Sequence, residues 1–402
     1  YAITAAATDV SGNTSAASSA LNITVDTAAP AAPSVSAITD DTGTASDGIT
    51  SDNQLIITGT AEANASVEVF IDAGSIGTTT ADGSGNWSFD HTSTTLADGS
   101  YAITAAATDA SGNTSATSSA LNITVDTAAP SAPTVAAITD DTGTASDGIT
   151  SDNQLVITGT AEANASVEVF IDAGSIGTTT ADGSGNWSYD HSGNTLADGG
   201  YAITAAATDA SGNTSATSSA LNITVDTAAP SAPTVAAITD DTGTASDGIT
   251  SDNQLIIAGT AEANASVEVF IDAGSIGTAT ADGSGNWSFD HTGTTLADGS
   301  YAITAAATDA SGNTSSTSSA LNITVDTAAP AAPAVTAITD DTGTASDGIT
   351  SDNQLIIAGT AEANASVEVF IDAGSIGTAT ADGSGNWSFD HTSTTLADGS
   401  YA

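Results

Sequence analysis

The chain has 402 residues, with 48 Asp and Glu, 4 His and no Lys or Arg, giving a formal charge of -48. Binding to nucleic acid, or attraction to an anionic membrane, needs basic side chains, so both are excluded. The absence of cysteine removes disulfides, zinc–thiolate sites and thiol nucleophiles.

Charged residues make up 12% of the chain, all of them acidic, where ordinary chains carry about 25% of both signs. No carboxylate can pair with a basic side chain, and an isolated ionised carboxylate is costly to bury. Each must face water, accept a neutral hydrogen bond or bind a cation. No apolar run reaches membrane-spanning length and no signal peptide is evident, so direct membrane insertion is not expected. With no methionine in the chain, Tyr1 is not an initiator, and the sequence reads as a window cut from a longer protein.

The organising feature is a repeat of 100 residues, with YAITAAATD recurring at Tyr1, Tyr101, Tyr201 and Tyr301. That period exceeds a solenoid unit of about 20–47 residues and equals one immunoglobulin-like sandwich of about 100. Each repeat should therefore be a whole domain with its own core. The copies differ mildly, as at Val156/Ile256, Thr158/Ala258, Thr179/Ala279 and Tyr189/Phe289. Such copying suits a function that sums over units, such as length or avidity. All 8 prolines fall in four VDTAAPxAP linkers, from Pro30/Pro33 to Pro330/Pro333, and proline stiffens a connector. Three complete domains are expected at 28–127, 128–227 and 228–327. Residues 1–27 form the last part of a domain and 328–402 the first part of another. These two parts would lie at opposite ends of a rod and could complete each other only between chains, head to tail.

In one repeat, period-2 alternation predicts seven strands and an all-β, seven-stranded sandwich. Segment 133–139 opens it and a long acidic loop follows, DDTGTASDGITSDN. Next comes 154–160, with Leu155 and Ile157 on one face. In 166–172, Val167, Val169 and Ile171 point one way, and Glu168 and Asp172 the other. Segments 175–181 and 186–191 are joined by the turn Asp182-Gly183-Ser184-Gly185. In 201–208, Tyr201, Ile203, Ala205 and Ala207 share a face, and in 216–226 Leu221, Ile223 and Val225 point inward. The apolar fraction is mostly Ala, which predicts a thin core. Trp187 is read as its centre, the alternative being an exposed ligand platform. Leu196-Ala197-Asp198-Gly199-Gly200-Tyr201 resembles the tyrosine corner of such sandwiches.

Topology then assigns the carboxylates. The first loop, the loop carrying Asp198 and the end of the last strand share one pole. The loops carrying Glu162 and Asp209 share the other. In a linear array each pole of the first kind faces one of the second. One junction thus gathers Asp140, Asp141, Asp147, Asp152 and Asp226 from one repeat, facing Glu262, Asn264, Asp309 and Asn313 of the next. Like charges within the ~8 Å screening length repel. Calcium would relieve this, because it takes six to eight oxygens from carboxylates, carbonyls and amides, whereas magnesium keeps its water in a rigid octahedron. The same positions elsewhere are Asp40, Asp41, Asp47, Asp52, Asp240, Asp241, Asp247, Asp252, Asp340, Asp341, Asp347 and Glu162. Asp and Asn also cap turns through their own backbones. Asp182 and Asp198 are read that way, while Glu162 and Glu262 stand open between ligand and solvated loop acid. His191, beside Asp190 with no nucleophile near it, reads as a solvated turn histidine. No G-x-S-x-G elbow, catalytic carboxylate pair or phosphate loop is present, so no enzyme is expected.

ITSDNQLxITGTAEANASVEVFID, GNWSFD, LADGSYAITAAATDASGNTS and VDTAAP together resemble the bacterial immunoglobulin-like repeats of giant type I secreted adhesins. These include biofilm-associated proteins and the extender regions of large calcium-dependent RTX adhesins. The resemblance covers the whole chain. It implies a secreted, extracellular rod on the bacterial surface that holds an adhesive tip away from the cell. It also implies calcium at domain junctions, which stiffens the rod, while the ion-poor cytoplasm keeps the chain unfolded for export. The family's acidic ligands would map to Asp109, Asp209 and Asp309, and to Asp26, Asp126, Asp226 and Asp326. The glycine-rich nonapeptides of RTX regions and the sugar-, peptide- or ice-binding modules are absent, so only an extender is expected. Its partners would be the neighbouring repeats. A strand of about ten residues spans ~33 Å, so the rod should gain about 40 Å per repeat. The rival readings are a weak sugar or cell-surface site on the sheet face of Phe170, Thr178 and Thr180, repeated for avidity, and a head-to-tail filament.

Overall fold

The computed structural model describes residues 1–239, 241–339, 341–344 and 347–402. These form two compact units, Tyr1–Pro230 with Thr308–Ser315, and Ser231–Ala307 with Ser316–Ala402. Among the described residues every regular element is a β-strand. Unit 1 is best read from the repeat that follows Pro130. Its strands are β1 (Thr134–Ile138), β2 (Ile149–Thr150), β3 (Val156–Thr160), β4 (Ser166–Ile171), β5 (Gly174–Thr180), β6 (Asn186–Asp190), β7 (Gly199–Thr208) and β8 (Leu221–Val225).

Two sheets face each other. One is β1-β3-β6 and the other β2-β8-β7-β4-β5. All pairs are antiparallel except β2 with β8, where Ile149 lies beside Thr224 and Thr150 beside Val225. The β-sandwich of the sequence reading is therefore present, with two corrections. The acidic loop is broken by β2, whose two residues carry no alternation to betray them. The last strand is shorter than 216–226, because Ser215 and Ser218 instead turn their hydroxyls on the amides of Ala207 and Ala205.

The core follows the alternation. Leu155, Ile157, Val167, Val169, Ile203 and Ala205 are fully buried, and each larger aliphatic contributes about 1.5–3 kcal/mol. The core is not made mostly of Ala. Its buried cluster holds Ala181 and Ala205 among Ile, Val, Leu and Trp, because much of the alanine, such as Ala128, Ala129 and Ala132, lies in exposed linker. Trp187 is 3% exposed and lies flat on Gly159, where a Cβ would sit 2.5 Å from its Cζ2. The Tyr201 hydroxyl donates to the carbonyl of Ala197 at 2.8 Å, the tyrosine corner. In β4 a bulge between Val169 and Phe170 breaks the strict alternation, leaving Phe170 and Ile171 both half-buried. His191 corrects another expectation. It is 8% exposed and packs its ring 6.2 Å from that of Tyr189, because β6 carries both onto the closed edge of the sandwich.

The β4–β5 hairpin turns through Asp172 and Ala173, at φ 49° and 64°. Such turns favour Asn-Gly, and Ala in a left-handed conformation costs about 1–2 kcal/mol. The Asp172 carboxylate offsets part of that by accepting from the amide of Ala202 at 2.9 Å. Ala173→Gly should therefore raise the stability of its repeat by about 0.4–1 kcal/mol, read as a higher Tm. A fall in Tm would show that the turn is not left-handed.

The turn at Asp182 is built as expected. The amides of Asn186 and Ser184 hold its carboxyl below the ordinary value, and the Ser192 hydroxyl and amide do the same for Asp190. A depressed folded value adds stability that is complete above the unfolded value, near ~4, and is lost as pH falls through the folded one. In about 1 M salt, which screens charges beyond ~3 Å, Tm should drop steadily below pH ~4. A flat or rising Tm in that range would contradict this account.

In unit 2, strands Thr234–Ile238 to Leu321–Val325 repeat the same two sheets around Trp287. Strands Ala334–Ile338, Ile356–Thr360 and Asn386–Asp390 form a three-stranded sheet, with Ser366–Ile371 and Gly374–Thr380 as a separate hairpin.

Candidate functional site at the repeat junctions

Within unit 1 the linker leaving each repeat is tied down from both sides. After strand Leu121–Val125, the amide of Asp126 donates to the carbonyl of Thr50 at 2.9 Å. The amide and hydroxyl of Thr127 both donate to Asp98 Oδ1, at 3.0 and 2.9 Å. Pro130 and Pro133 are buried. The chain thus enters the next repeat along a fixed path.

The neighbouring repeat's Asp209–Asn213 loop closes on this path. Asn213 Nδ2 donates to the main-chain carbonyl of Asp126 at 2.8 Å and to Asp209 Oδ2 at 2.9 Å. Its amide donates to Asp209 Oδ1 at 2.8 Å. The Ser211 hydroxyl reaches Asp126 Oδ2 at 3.3 Å. From the first repeat's acidic loop, Thr42 Oγ1 donates to the Ser211 carbonyl at 2.6 Å and the Ser51 amide joins it at 3.1 Å. Thr50 fixes Thr42 and Asp40 from beneath. The next junction has the same parts. Thr142 bonds the Ser311 carbonyl at 2.6 Å, Ser311 bonds Asp226 at 3.2 Å, and Asn313 bridges Asp226 and Asp309.

Burial shows what a preceding loop does. Ser211 and Ser311 are 2% and 1% exposed. Each lies beneath the acidic loop of the preceding repeat, that of Thr42 or of Thr142.

The expected acids distribute as follows. Asp126 with Asp209, and Asp226 with Asp309, meet across junctions through one shared Asn. Asp26 and Asp109 meet in the same way on Asn113, whose side chain holds the Asp109 carboxyl below its ordinary value. Asp41, Asp141 and Asp241 accept the amides of Ser46, Ser146 and Ser246 at 2.6 Å through Oδ2. Their Oδ1 atoms are buried without a hydrogen-bond partner. Asp47, Asp147, Asp247 and Asp347 cap the amides two residues on, as do Asp52, Asp152 and Asp252. The main-chain carbonyls of Asp40 and Asp140 accept from Thr50 and Thr150. Asp326 caps Ala328. Glu162 and Glu262 are exposed. Asp240 and Asp340 lie outside the described residues. Among the described residues no three His, Asp or Glu side chains gather as a metal cluster.

Sequence reasoning missed Ser211, Thr42 and Asp98. Asp198, expected to be a turn residue, accepts from the amide and hydroxyl of Thr227, as Asp98 does from Thr127. The only local signals were the invariant positions of S-G-N and D-D-T in each copy.

Residues 29–127, 129–227, 229–327 and 329–402 each match the bacterial Ig-like domain family. The chain belongs to that family. These Ig-like repeats are also similar to several solved structures. One is from a study of host cell surface retention of a 1.5-MDa bacterial ice-binding adhesin, at 23% identity over 70% of this chain and 95% of that one, TM-score 0.33. Another is a tetra-tandem repeat in the extending region of a large adhesion protein, at 23% identity over 88% and 91%, TM-score 0.32. A third is the BSP domain of a biofilm associated protein, at 16% identity over 73% and 69%, TM-score 0.19. No curated protein sequence matches the Ig-like array.

Proposed function

We propose that the chain is an extender of a large, secreted bacterial surface adhesin, a non-enzymatic spacer that projects a distal binding tip for adhesion or biofilm formation. The observation that carries this reading is the interlocked junction. Within unit 1, a linker clamped by Asp98 and an Asn213 bridge leave little freedom between the two consecutive repeats. Near-identical modules joined in one fixed way supply length.

We also propose that calcium completes the stiffening. Its holders would be the carboxylates of Asp126 with Asp209 and of Asp226 with Asp309, and the unpartnered Oδ1 atoms of Asp41, Asp141 and Asp241. A bound cation would neutralise the carboxylates that repel one another. The remaining oxygens of a six- to eight-fold shell would come from carbonyls and water. Extracellular modules bind calcium at about 10⁻⁴–10⁻³ M. Free ion at a hundred times Kd adds about 2.7 kcal/mol per site.

Small-angle scattering and thermal melting of the chain, with millimolar calcium and with chelator, test both parts. Maximum dimension and Tm should both rise with calcium. Equal Tm with an equally extended particle would remove the cation and keep the spacer. A compact particle in both conditions would remove the spacer. The rival sugar site would use the face of Phe170, Thr178 and Thr180, where Phe170 is half-buried and the threonines exposed. Binding on a glycan array would favour that reading.

A further inference from the structure

An open sheet edge is a template for another chain, and proteins blunt such edges with Lys, Pro or bulges. This chain has no Lys, and all 8 prolines lie in linkers. Because the repeats are near-copies, an edge open on one would find its match on every neighbouring copy. In the repeat of β1–β8, β2 covers β8 only through Ile149 and Thr150. The segment 215–220 before β8 runs beside β7, with Ala216, Thr217, Ser219 and Ala220 exposed.

This flank is not a regular strand. Ala207, Ala205 and Ile203 of β7, two residues apart, are met by Ser215, Ser218 and Leu221, three residues apart. Each step thus carries one extra residue, the mark of a bulge, and two bulges follow in succession. The serines make this possible. The Ser215 amide donates to the Ala207 carbonyl at 2.8 Å, while its Oγ accepts from the Ala207 amide at 2.9 Å. Ser218 holds Ala205 in the same way, at 2.8 and 3.0 Å. A hydroxyl stands in for the carbonyl that a regular strand would offer. Each hydroxyl then donates onward, Ser215 to the carbonyl of Ala216 at 2.8 Å and Ser218 to that of Ser219 at 2.9 Å. Those two carbonyls are withheld from an incoming strand. The same bonds recur at Ser115 and Ser118.

We infer that Ser215 and Ser218, with their counterparts Ser115 and Ser118, lock the flank of β7 against strand addition by a second copy of this chain. Without the hydroxyls, the amides of Ala205 and Ala207 lose their acceptors. The main chain of 215–220 replaces them only by straightening, which bares a regular edge. Residues 210–225 contain no acid, so the straightened segment carries no charge to hold the second copy off.

The test compares the 402-residue chain with its Ser215→Ala/Ser218→Ala and Ser215→Thr/Ser218→Thr variants by ultracentrifugation and hydrogen exchange. Chelator prevents cation bridging, and about 0.15 M salt screens charges beyond ~8 Å. In the unaltered chain at low concentration, the amides of Ala205 and Ala207 should exchange slowly and those of Ala216, Thr217, Ser219 and Ala220 fast. The Ala variant should grow heavier than the unaltered chain as concentration rises, with exchange at 216–220 slowing as it grows. The Thr variant keeps both hydroxyls and should match the unaltered chain. If the Ala variant loses the Trp187 fluorescence of a folded repeat, the single Ser218→Ala variant, which removes one lock of the two, takes its place. Slow exchange at 216–220 in the unaltered chain, a folded Ala variant that grows no heavier, growth that leaves 216–220 unprotected, or equal growth of the Thr variant would each overturn the inference. Neither the spacer role nor calcium binding bears on these readouts.

Discussion

Replacing Trp187 by Ala lowers the stability of its repeat by about 3–5 kcal/mol, the usual loss for a buried aromatic. For a domain of this size that displaces Tm by well over ~10 °C. The indole is 3% exposed and backs onto Gly159, so the neighbouring main chain is already in contact and cannot close far into the void. Each repeat has its own buried cluster. Calorimetry should accordingly resolve one early transition for the altered repeat, with the others near their original temperature, as nearest-neighbour arrays behave. A uniform shift of all transitions would mean that the repeats melt as one body. No shift would remove Trp187 from the core. Trp187→Phe should cost less than Trp187→Ala. It keeps a ring on Gly159 and deletes a buried Nε1 that has no acceptor, a group whose desolvation costs about 1–3 kcal/mol.

Gly143→Ala opens a junction while leaving each sandwich folded. A Cβ at this position would collide with the carbonyl of Ala310 and lie 2.8 Å from the amide nitrogen of Gly312, at a φ of 74°. The bonds made by Thr142, Ser311 and Asn313 across the joint would be lost together. At ~0.5–1.5 kcal/mol each, the coupling falls by about 2–4 kcal/mol. Gly183→Ala is the control, with open space around the new methyl. It adds a methyl to a turn of the same repeat without the clash. Hydrogen exchange should quicken at Thr144 and in the 309–313 loop for Gly143→Ala alone. Equal protection in both variants would show that the loop does not seat on Ser311.

Much of the fold was legible because its signals are periodic or local. The 100-residue recurrence, the alternation in 166–171 and the Leu196 to Tyr201 corner need no knowledge of distant residues. The poles of the sandwich followed from strand order, which placed Asp226 opposite Asp309 correctly. What stayed hidden depends on pairs far apart in the chain. Asp198 finds Thr227 across 29 residues, and nothing near Asp198 marks it as other than a turn. Ser211 works largely through its carbonyl, which every residue possesses. The β2 strand exists only because β8 offers it an edge. His191 is buried because β6 carries it inward, while its neighbours Asp190 and Ser192 read as solvent-facing.

The parallel pairing of β2 with β8 has a mechanical consequence. Its bonds run from the amide of Thr224 to the carbonyl of Gly148, at 2.7 Å, and from the amide of Asp226 to that of Thr150, at 2.9 Å. Tension between the two ends of a repeat pulls β2 backward from its start and β8 forward from its finish. Because the strands run the same way, that tension shears the two bonds at once and does not peel them in turn. Two short contacts at the edge of a sheet thus become a place where a stretched repeat resists in shear.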